Sequence, residues 1–444
     1  MILGGGVAGI AAALYLLDQG YPVTLIEARR FLGGRAFSFI DAETGLSVDN
    51  GQHVIVGCCS YFIDFLKRLD ADGKWHLQPR LRLRVRDRQG KAGLLAASRL
   101  PAPFHLLPSF LAYPHLGAGD KIRALAALAR ARFTDRCQPY LERITFYQWL
   151  KQQRQSEQAI QNLWNLLVMP TLNDHVRDVS AAMGLMIVQE GMLEGCHNAD
   201  VGYASDGLSV AVGEPARRHL LDRGTKLLLG SAVRRVCLES GRVKGVELAS
   251  GVVVTGEVYV SALPGSALLA VLPRDVAEQP FFQGLKGLET SPIVNIHLWY
   301  DRPVMDGDFC ALVDSPLQWV FNKGAILGKE ETDQGQYICI SISAAWEYID
   351  QTREELAQQF IAEMAEAFPR ARLARVKRSI VVKQRHATFR CQPGANELRP
   401  SSQTPIANLF LAGEWTNTGW PSTMESAVRS GYNAAQAITG NKTF

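Results

Sequence analysis

An α/β architecture, with one parallel-sheet domain interrupted by a second, α+β domain, is predicted by three features of this chain. The first is a G-x-G-x-x-G made by Gly4, Gly6 and Gly9, followed by an apolar helical run over 10–17 and a buried strand over 23–26 that ends on Glu27. The second is the return of short strands with glycine turns over 226–260, and of a strand and loop at 407–416. The third is what lies between: apolar helices over 120–168, then alternating aromatic strands over 291–300, 318–322 and 337–342.

The opening unit reads as a Rossmann-type dinucleotide turn. Gly4 permits the tight strand-to-helix turn, Gly6 leaves room for a pyrophosphate, and Gly9 lets the helix pack closely on the sheet. The helix N-terminus then offers free N–H groups and a positive dipole end to the phosphates. Glu27 is placed to accept hydrogen bonds from adenosine ribose hydroxyls, with Ala28 beside it. Three residues precede Gly4, where a buried strand usually has five or six. The first strand therefore reads as clipped, as from a late start codon.

Four further stretches extend the cofactor reading. Gly33-Gly34-Arg35 is a second glycine turn, which a nicotinamide site does not need; two glycines there bring the backbone against an extended flavin dinucleotide, and Arg35 meets its phosphates. Asp49-Asn50-Gly51-Gln52-His53 puts polar groups on a glycine hinge beside the flavin ring, with Gln52 and His53 as contacts. His53 reads equally as a structural histidine. Val233 stands where a backbone contact to adenine falls. Gly413 and Glu414 end the last strand, where a carboxylate binds ribityl hydroxyls, and Thr423 and Met424 start a helix aimed at the flavin pyrimidine edge. Ser422 and Glu425 read as a capping box for that helix, so Glu425 is expected to be a cap and not a catalyst.

Composition sets bounds. The 444 residues are 47% hydrophobic and 20% charged, which describes a globular chain with ample core. A net charge of +4 gives no reason to expect nucleic-acid binding and is compatible with weak attraction to anionic lipid. The eight cysteines are scattered apart from Cys58-Cys59, with no metal-ligand spacing; reduced thiols in a cytosolic protein and no metal site are expected. No signal peptide is read, because the chain opens on a cofactor strand.

The interrupting segments look apolar. Residues 81–88 alternate as a strand with one cationic face. Residues 100–119 contain no Asp, Glu, Lys or Arg, and Pro101, Pro103, Pro108 and Pro114 forbid a straight spanning helix. This stretch is ordinary core, a wall of an apolar pocket, or a hairpin dipping into a membrane surface among Arg99, Lys121, Arg123, Arg130 and Arg132. Helices are expected over 121–133, 145–151 and 157–168, the last broken by Met169-Pro170. One strand is expected over 252–260. On strand 291–300, Asn295, His297 and Trp299 share one face. Domain ranges follow: 1–78, 205–265 and 386–444 for the cofactor, with 79–204 and 266–385 for the substrate.

These motifs resemble the flavin-dependent amine oxidase and phytoene desaturase superfamily over nearly the whole chain. The likeness is carried by Gly4–Gly9 with Glu27, by Gly33-Gly34-Arg35, and by Gly413-Glu-Trp-Thr with Gly419-Trp-Pro-Ser-Thr-Met-Glu425. Ser291-Pro-Ile-Val-Asn-Ile-His-Leu-Trp299, Gln318-Trp-Val-Phe-Asn322 and the hinge at 49–53 favour its polyprenyl-processing, squalene-associated branch. Asp49-Asn-Gly-Gln-His departs from the Glu-Asn-Gly-Tyr-His of plant-type desaturases. The resemblance implies a glutathione-reductase-like FAD domain, an apolar tunnel, and reductive dehydroxylation of hydroxysqualene to squalene in hopanoid synthesis. It also implies an electron donor and peripheral attachment to the inner face of the cell membrane. His53 and His297 are the candidate proton donors, and Trp299, Trp319 or Trp420 could shield an allylic cation. A carotenoid desaturase or isomerase uses the same parts oxidatively. An amine oxidase or a non-catalytic prenyl escort fits less well.

Overall fold

The apolar residues that open the chain become the central strand of a parallel sheet. In the computed structural model, described over residues 1–43, 45–328 and 335–440, that sheet runs Lys226–Leu229, Thr24–Glu27, Ile2–Leu3, Tyr259–Ser261, Leu409–Leu411. Residues 44, 329–334 and 441–444, which fall inside the expected domain ranges, lie outside the described residues. All four pairings are parallel. Parallel strands need helical crossovers, and the first is the helix Val7–Asp18, buried continuously from Val7 to Leu16. A helix apolar on nearly every side has neighbours on every side. Its main one is the closing helix Met424–Thr439. A side chain at Gly431 would come within 2.4 Å of the Ala8 carbonyl oxygen, so glycine there sets how closely the two helices approach.

A second, seven-stranded sheet is ordered Val376–Phe389, Thr290–Tyr300, Gln336–Ile342, Trp319–Asn322, Phe309–Val313, Arg82–Asp87, Ala92–Ala96. Its pairings are antiparallel except that of Phe309–Val313 with Arg82–Asp87. The period-2 pattern decides its faces. Ile296, Leu298, Tyr300, Leu312, Ile338 and Ile340 pack under the helix Arg353–Ala367. Asn295, His297 and Trp299 take the opposite face. The helical segments over 118–193 pack into the largest core, where Trp149 and Trp164 are among the largest fully buried side chains.

Three local expectations are corrected. Pro170 does not break its helix: Asn165–Leu172 continues through it and ends where Asn173 turns left-handed, after a π turn over Ile160–Trp164. The supposed strand over 252–260 is two strands in two sheets. Val253–Val254 joins a small antiparallel sheet and Tyr259–Ser261 the parallel one, with Gly256 turning the chain between them and donating its N–H to the Tyr259 hydroxyl (2.7 Å). Finally, Thr423 caps the closing helix by accepting from the Ser426 N–H, in place of Ser422. The Glu425 carboxylate turns away to take the N–H groups of Tyr61 (3.2 Å) and Phe62 (2.7 Å). It thus caps the neighbouring helix Ser60–Arg68, whose own preceding residue supplies no capping side chain.

Candidate functional site

Two glycine turns lie edge to edge at the end of the parallel sheet. Gly33 N–H donates to the Gly5 carbonyl at 2.9 Å, and Gly6 and Gly33 bridge in parallel. Gly4 has φ of +108° and Gly34 of +61°, conformations that favour glycine. A side chain at Gly9 would sit 2.0 Å from the Gly4 carbonyl oxygen, and one at Gly34 would sit 2.9 Å from the Gly6 Cα. Gly6 differs. A Cβ there meets nothing nearer than 3.8 Å, so protein packing does not require its glycine. Gly6 also heads the helix Val7–Asp18, whose first turn has no side-chain cap and no acidic residue. Backbone free to be approached, at an uncapped helix N-terminus, is the chemistry of a pyrophosphate cradle.

The other residues that the sequence singles out for the cofactor lie around this cradle. Glu27 ends its strand partly exposed. Its two oxygens accept the N–H groups of Gly5 (2.7 Å) and Arg29 (2.8 Å), which fix the carboxylate and leave it lone pairs for ribose hydroxyls. Ala28 follows it, exposed. Val233 starts a strand just past Ser231, whose N–H donates to the Glu27 carbonyl at 2.9 Å. At the other end Arg35 pairs with Glu414 at 2.5 Å and donates to the Ala387 carbonyl. Gly413, at φ +148°, brings Glu414 there. The Ser430 hydroxyl accepts the Gly413 N–H, while the Ser426 hydroxyl donates to the Glu414 carbonyl. Thr423 and Met424 begin the closing helix against this loop. Sequence reading missed Arg399. Its buried guanidinium holds the carbonyls of Glu414 and Thr416, and burial pulls it down to about 10.

The hinge at 49–53 ties the cradle to the mixed sheet. Asn50 donates to the Arg35 carbonyl and accepts from Gln384. The Gln52 N–H donates to Asn295, and a side chain at Gly51 would strike that same amide at 2.8 Å. His53 is partly buried, its Nδ1 3.0 Å from the Gly51 carbonyl; burial holds its ring below the usual imidazole range.

Behind the hinge lies a polar cluster in which Lys323 and Tyr337, which the sequence did not announce, join Asp49 and His297. Asp49 and Lys323 form an ion pair at 2.8 Å with side chains 5% and 2% exposed. The Ser38 hydroxyl and Leu208 N–H also donate to Asp49. Burial works against its charge, yet Lys323 and these hydrogen bonds hold the carboxyl below its usual range. His297, fully buried, contacts the Tyr337 hydroxyl through Nδ1 at 2.7 Å, and Tyr337 stacks on Trp299 at 4.4 Å. Burial, aided by the Lys323 charge, pushes His297 down to about 3. Held there, His297 is a neutral hydrogen-bonding group near neutral pH. Burial raises Tyr337 well above the phenol range, so it keeps its proton. Three buried atoms here have no partner among the described residues: Gln52 Oε1, His297 Nε2 and Trp299 Nε1. Of the other tryptophans, Trp319 stacks on Phe321, and Trp420 has the Arg429 guanidinium over its ring.

A family model for flavin containing amine oxidoreductases matches residues 7–439. The chain belongs to that family. It is an FAD-dependent oxidoreductase, and the glycine turns, Glu27 and the Arg35–Glu414 pair suit that cofactor. Relatives divide between two chemistries. A hydroxysqualene dehydroxylase of Rhodopseudomonas palustris is 29% identical, covering 98% of this chain and 97% of its own. A 15-cis-phytoene desaturase of Synechococcus elongatus is 27% identical, covering 98% and 95%. Among solved structures, an oxidoreductase from Methanosarcina mazei superposes with a TM-score of 0.76 at 15% identity, covering 99% of both chains. Cyclohexylamine oxidase from Brevibacterium oxydans gives 0.70 at 20%, covering 99% and 98%. These two show the fold.

Proposed function

We propose that this enzyme removes the hydroxyl group of hydroxysqualene reductively: hydroxysqualene and reduced FAD give squalene, water and oxidised FAD. The observation that carries the reading is the buried cluster of Asp49, Lys323, His297 and Tyr337 beside the His297 face of the mixed sheet. A pure hydrocarbon offers such a cluster nothing to bind. An allylic alcohol offers a hydroxyl that must be held and protonated as it leaves. The dehydroxylase relatives support the same substrate.

Bound FAD supplies two-electron hydride chemistry. In this reading Gly4, Gly6, Gly9, Gly34 and the first helix hold the pyrophosphate. Glu27, Ala28 and Val233 meet the adenosine, and Glu414 the ribityl chain. The Met424–Thr439 helix would offer its positive N-terminal end to the pyrimidine edge of the flavin. Lys323, ion-paired with Asp49 at 2.8 Å, is the proposed donor to the departing oxygen. Neutral His297 and Tyr337 orient the hydroxyl, and His53 lines the hinge above it. The cofactor parts lie in 1–78, 205–265 and 386–444 and the substrate parts in 79–204 and 266–385. Peripheral membrane attachment belongs to the proposal too. Leu100, Phe104 and Leu111 of the 100–119 stretch are exposed, whereas Phe110, Tyr113 and Leu116 are buried. No helix among the described residues is long and apolar enough to cross a membrane.

The second reading, a carotenoid desaturase, rests on relatives of nearly equal identity. Product analysis separates the two. Chemically reduced enzyme with hydroxysqualene, and oxidised enzyme with phytoene, are extracted and chromatographed. Squalene from the first alone supports the proposal; a desaturated polyene from the second alone replaces it.

A further inference from the structure

The back of the mixed sheet carries a feature that flavin chemistry does not use. A groove of about 900 Å³ opens where the strand Arg82–Asp87 meets the end of the helix Arg353–Ala367. Register fixes its side. Arg86 pairs with Leu312, and Leu312 belongs to the cluster under that helix, opposite the His297 face. Arg82, Arg84, Arg86 and Arg370 line the groove, with Asp306 as the carboxylate among them. Asp306 takes Arg370 at 2.7 Å, and its carbonyl takes Arg84 at 3.0 Å. Among the described residues Arg82 pairs with no carboxylate. Arg86 lies over the Phe368 ring, its Nε buried without an acceptor. Four guanidinium groups stand against Asp306 and, beside Arg82 and Arg84 in the adjoining cavity, Asp308, which leaves a surplus of positive charge. The remaining walls are apolar, including Leu94, Ala112, Met305 and Phe368.

The rim continues into exposed apolar surface. Leu111, next to Ala112, is 53% exposed. Lys121 donates to the Leu111 carbonyl at 2.6 Å, which brings Ile122, 69% exposed, alongside. Lys91 donates to the carbonyl of Pro114, another lining residue, at 2.8 Å. Arginine forks suit phosphate oxygens. An apolar wall running to protruding Leu111 and Ile122, flanked by lysines, suits a chain that stays in a bilayer.

We infer that this groove seats the phosphate headgroup and upper acyl chain of an anionic phospholipid. The inference rests on the membrane attachment proposed above and is independent of which isoprenoid is the substrate.

Flotation of the full-length, FAD-loaded protein tests it, on vesicles of phosphatidylcholine alone and of phosphatidylcholine with phosphatidylglycerol. The protein floats preferentially with the anionic vesicles. The double variant Arg82→Gln/Arg370→Gln loses roughly 30-fold in anionic partitioning, from about 1 kcal/mol per basic residue near such a surface. Native mass spectra of the wild type from phosphatidylglycerol vesicles retain one lipid molecule, and Ala112→Trp, which fills the groove without changing charge, loses it; a wild type that retains none overturns the site. Flavin content reports that each variant is folded. Equal flotation on both vesicles, or an unaffected double variant, overturns the headgroup site while membrane attachment stands. Flotation on neither overturns both. Binding of inorganic phosphate that Arg82→Gln/Arg370→Gln abolishes, together with no preference for the anionic vesicles, assigns the groove to free phosphate and overturns the lipid.

Discussion

Lys323→Met strips a buried carboxylate of its cation. Both side chains of the pair are essentially inaccessible, at 2% and 5% exposure, so water cannot replace the lost partner. Breaking such a pair from one side costs about 3–5 kcal/mol. Asp49 keeps the Ser38 hydroxyl and the Leu208 N–H, which places the loss at the lower end, about 3 kcal/mol. The pH dependence has a definite sign. Asp49 is held below its usual range in the folded wild type. Its contribution is present above the unfolded carboxyl value of about 3.9 and is lost as pH falls through the folded value. Without Lys323 the buried carboxyl shifts upward instead, so the variant relieves its strain by taking a proton. The stability gap between wild type and variant therefore narrows on acidification from about pH 7 to about pH 5. Urea denaturation followed by tryptophan fluorescence measures the gap. Lys323→Met/Asp49→Asn removes the stranded charge and recovers most of the loss. A single-variant loss under about 1 kcal/mol, or a double variant no better than the single, refutes this account of the cluster.

Other outcomes follow from the same geometry. Gly6→Val folds but purifies without yellow cofactor, because its side chain enters space that no protein atom claims, whereas Gly9→Val fails to fold against the Gly4 carbonyl; a yellow Gly6→Val protein would misplace the pyrophosphate. Arg35→Met strands Glu414 and weakens FAD binding by about 10–100-fold, read by fluorescence titration of the apoprotein. His297, neutral above about 3, contributes no inflection near the imidazole range to the pH–rate profile of squalene formation; an inflection that disappears in His297→Gln shows the opposite. Tyr337→Phe leaves His297 Nδ1 without its partner and slows turnover by about tenfold or more with flavin content unchanged, a loss read in turnover number before substrate affinity.

What could be read in advance was whatever local chemistry encodes. The glycine turns at 4–9 and 33–34 demand particular backbone angles, and they stand where the sequence put them. The alternation at 291–300 decided that Asn295, His297 and Trp299 share a face, because a strand has no other way to place them. The ion pair was not legible. Asp49 and Lys323 lie 274 positions apart, and a lysine just after Trp319–Asn322 looks like a surface residue until two sheets close over it. The lone cation ending a buried aromatic strand was the available signal. Glu425 shows the reverse error. Its spacing from Ser422 satisfied a local motif, but tertiary packing offered it the bare N-terminus of Ser60–Arg68. The 100–119 stretch was posed as core or membrane contact, and it divides residue by residue: Phe110 is buried and Leu111 exposed.

The direction of electron flow is read by an anaerobic single turnover. Enzyme with its FAD chemically reduced is mixed with one equivalent of hydroxysqualene in detergent. The return of oxidised-flavin absorbance at about 450 nm is followed while products are extracted. The account predicts reoxidation matched one for one by squalene. Flavin that stays reduced with hydroxysqualene, while phytoene bleaches the oxidised enzyme, contradicts it and makes the protein a desaturase.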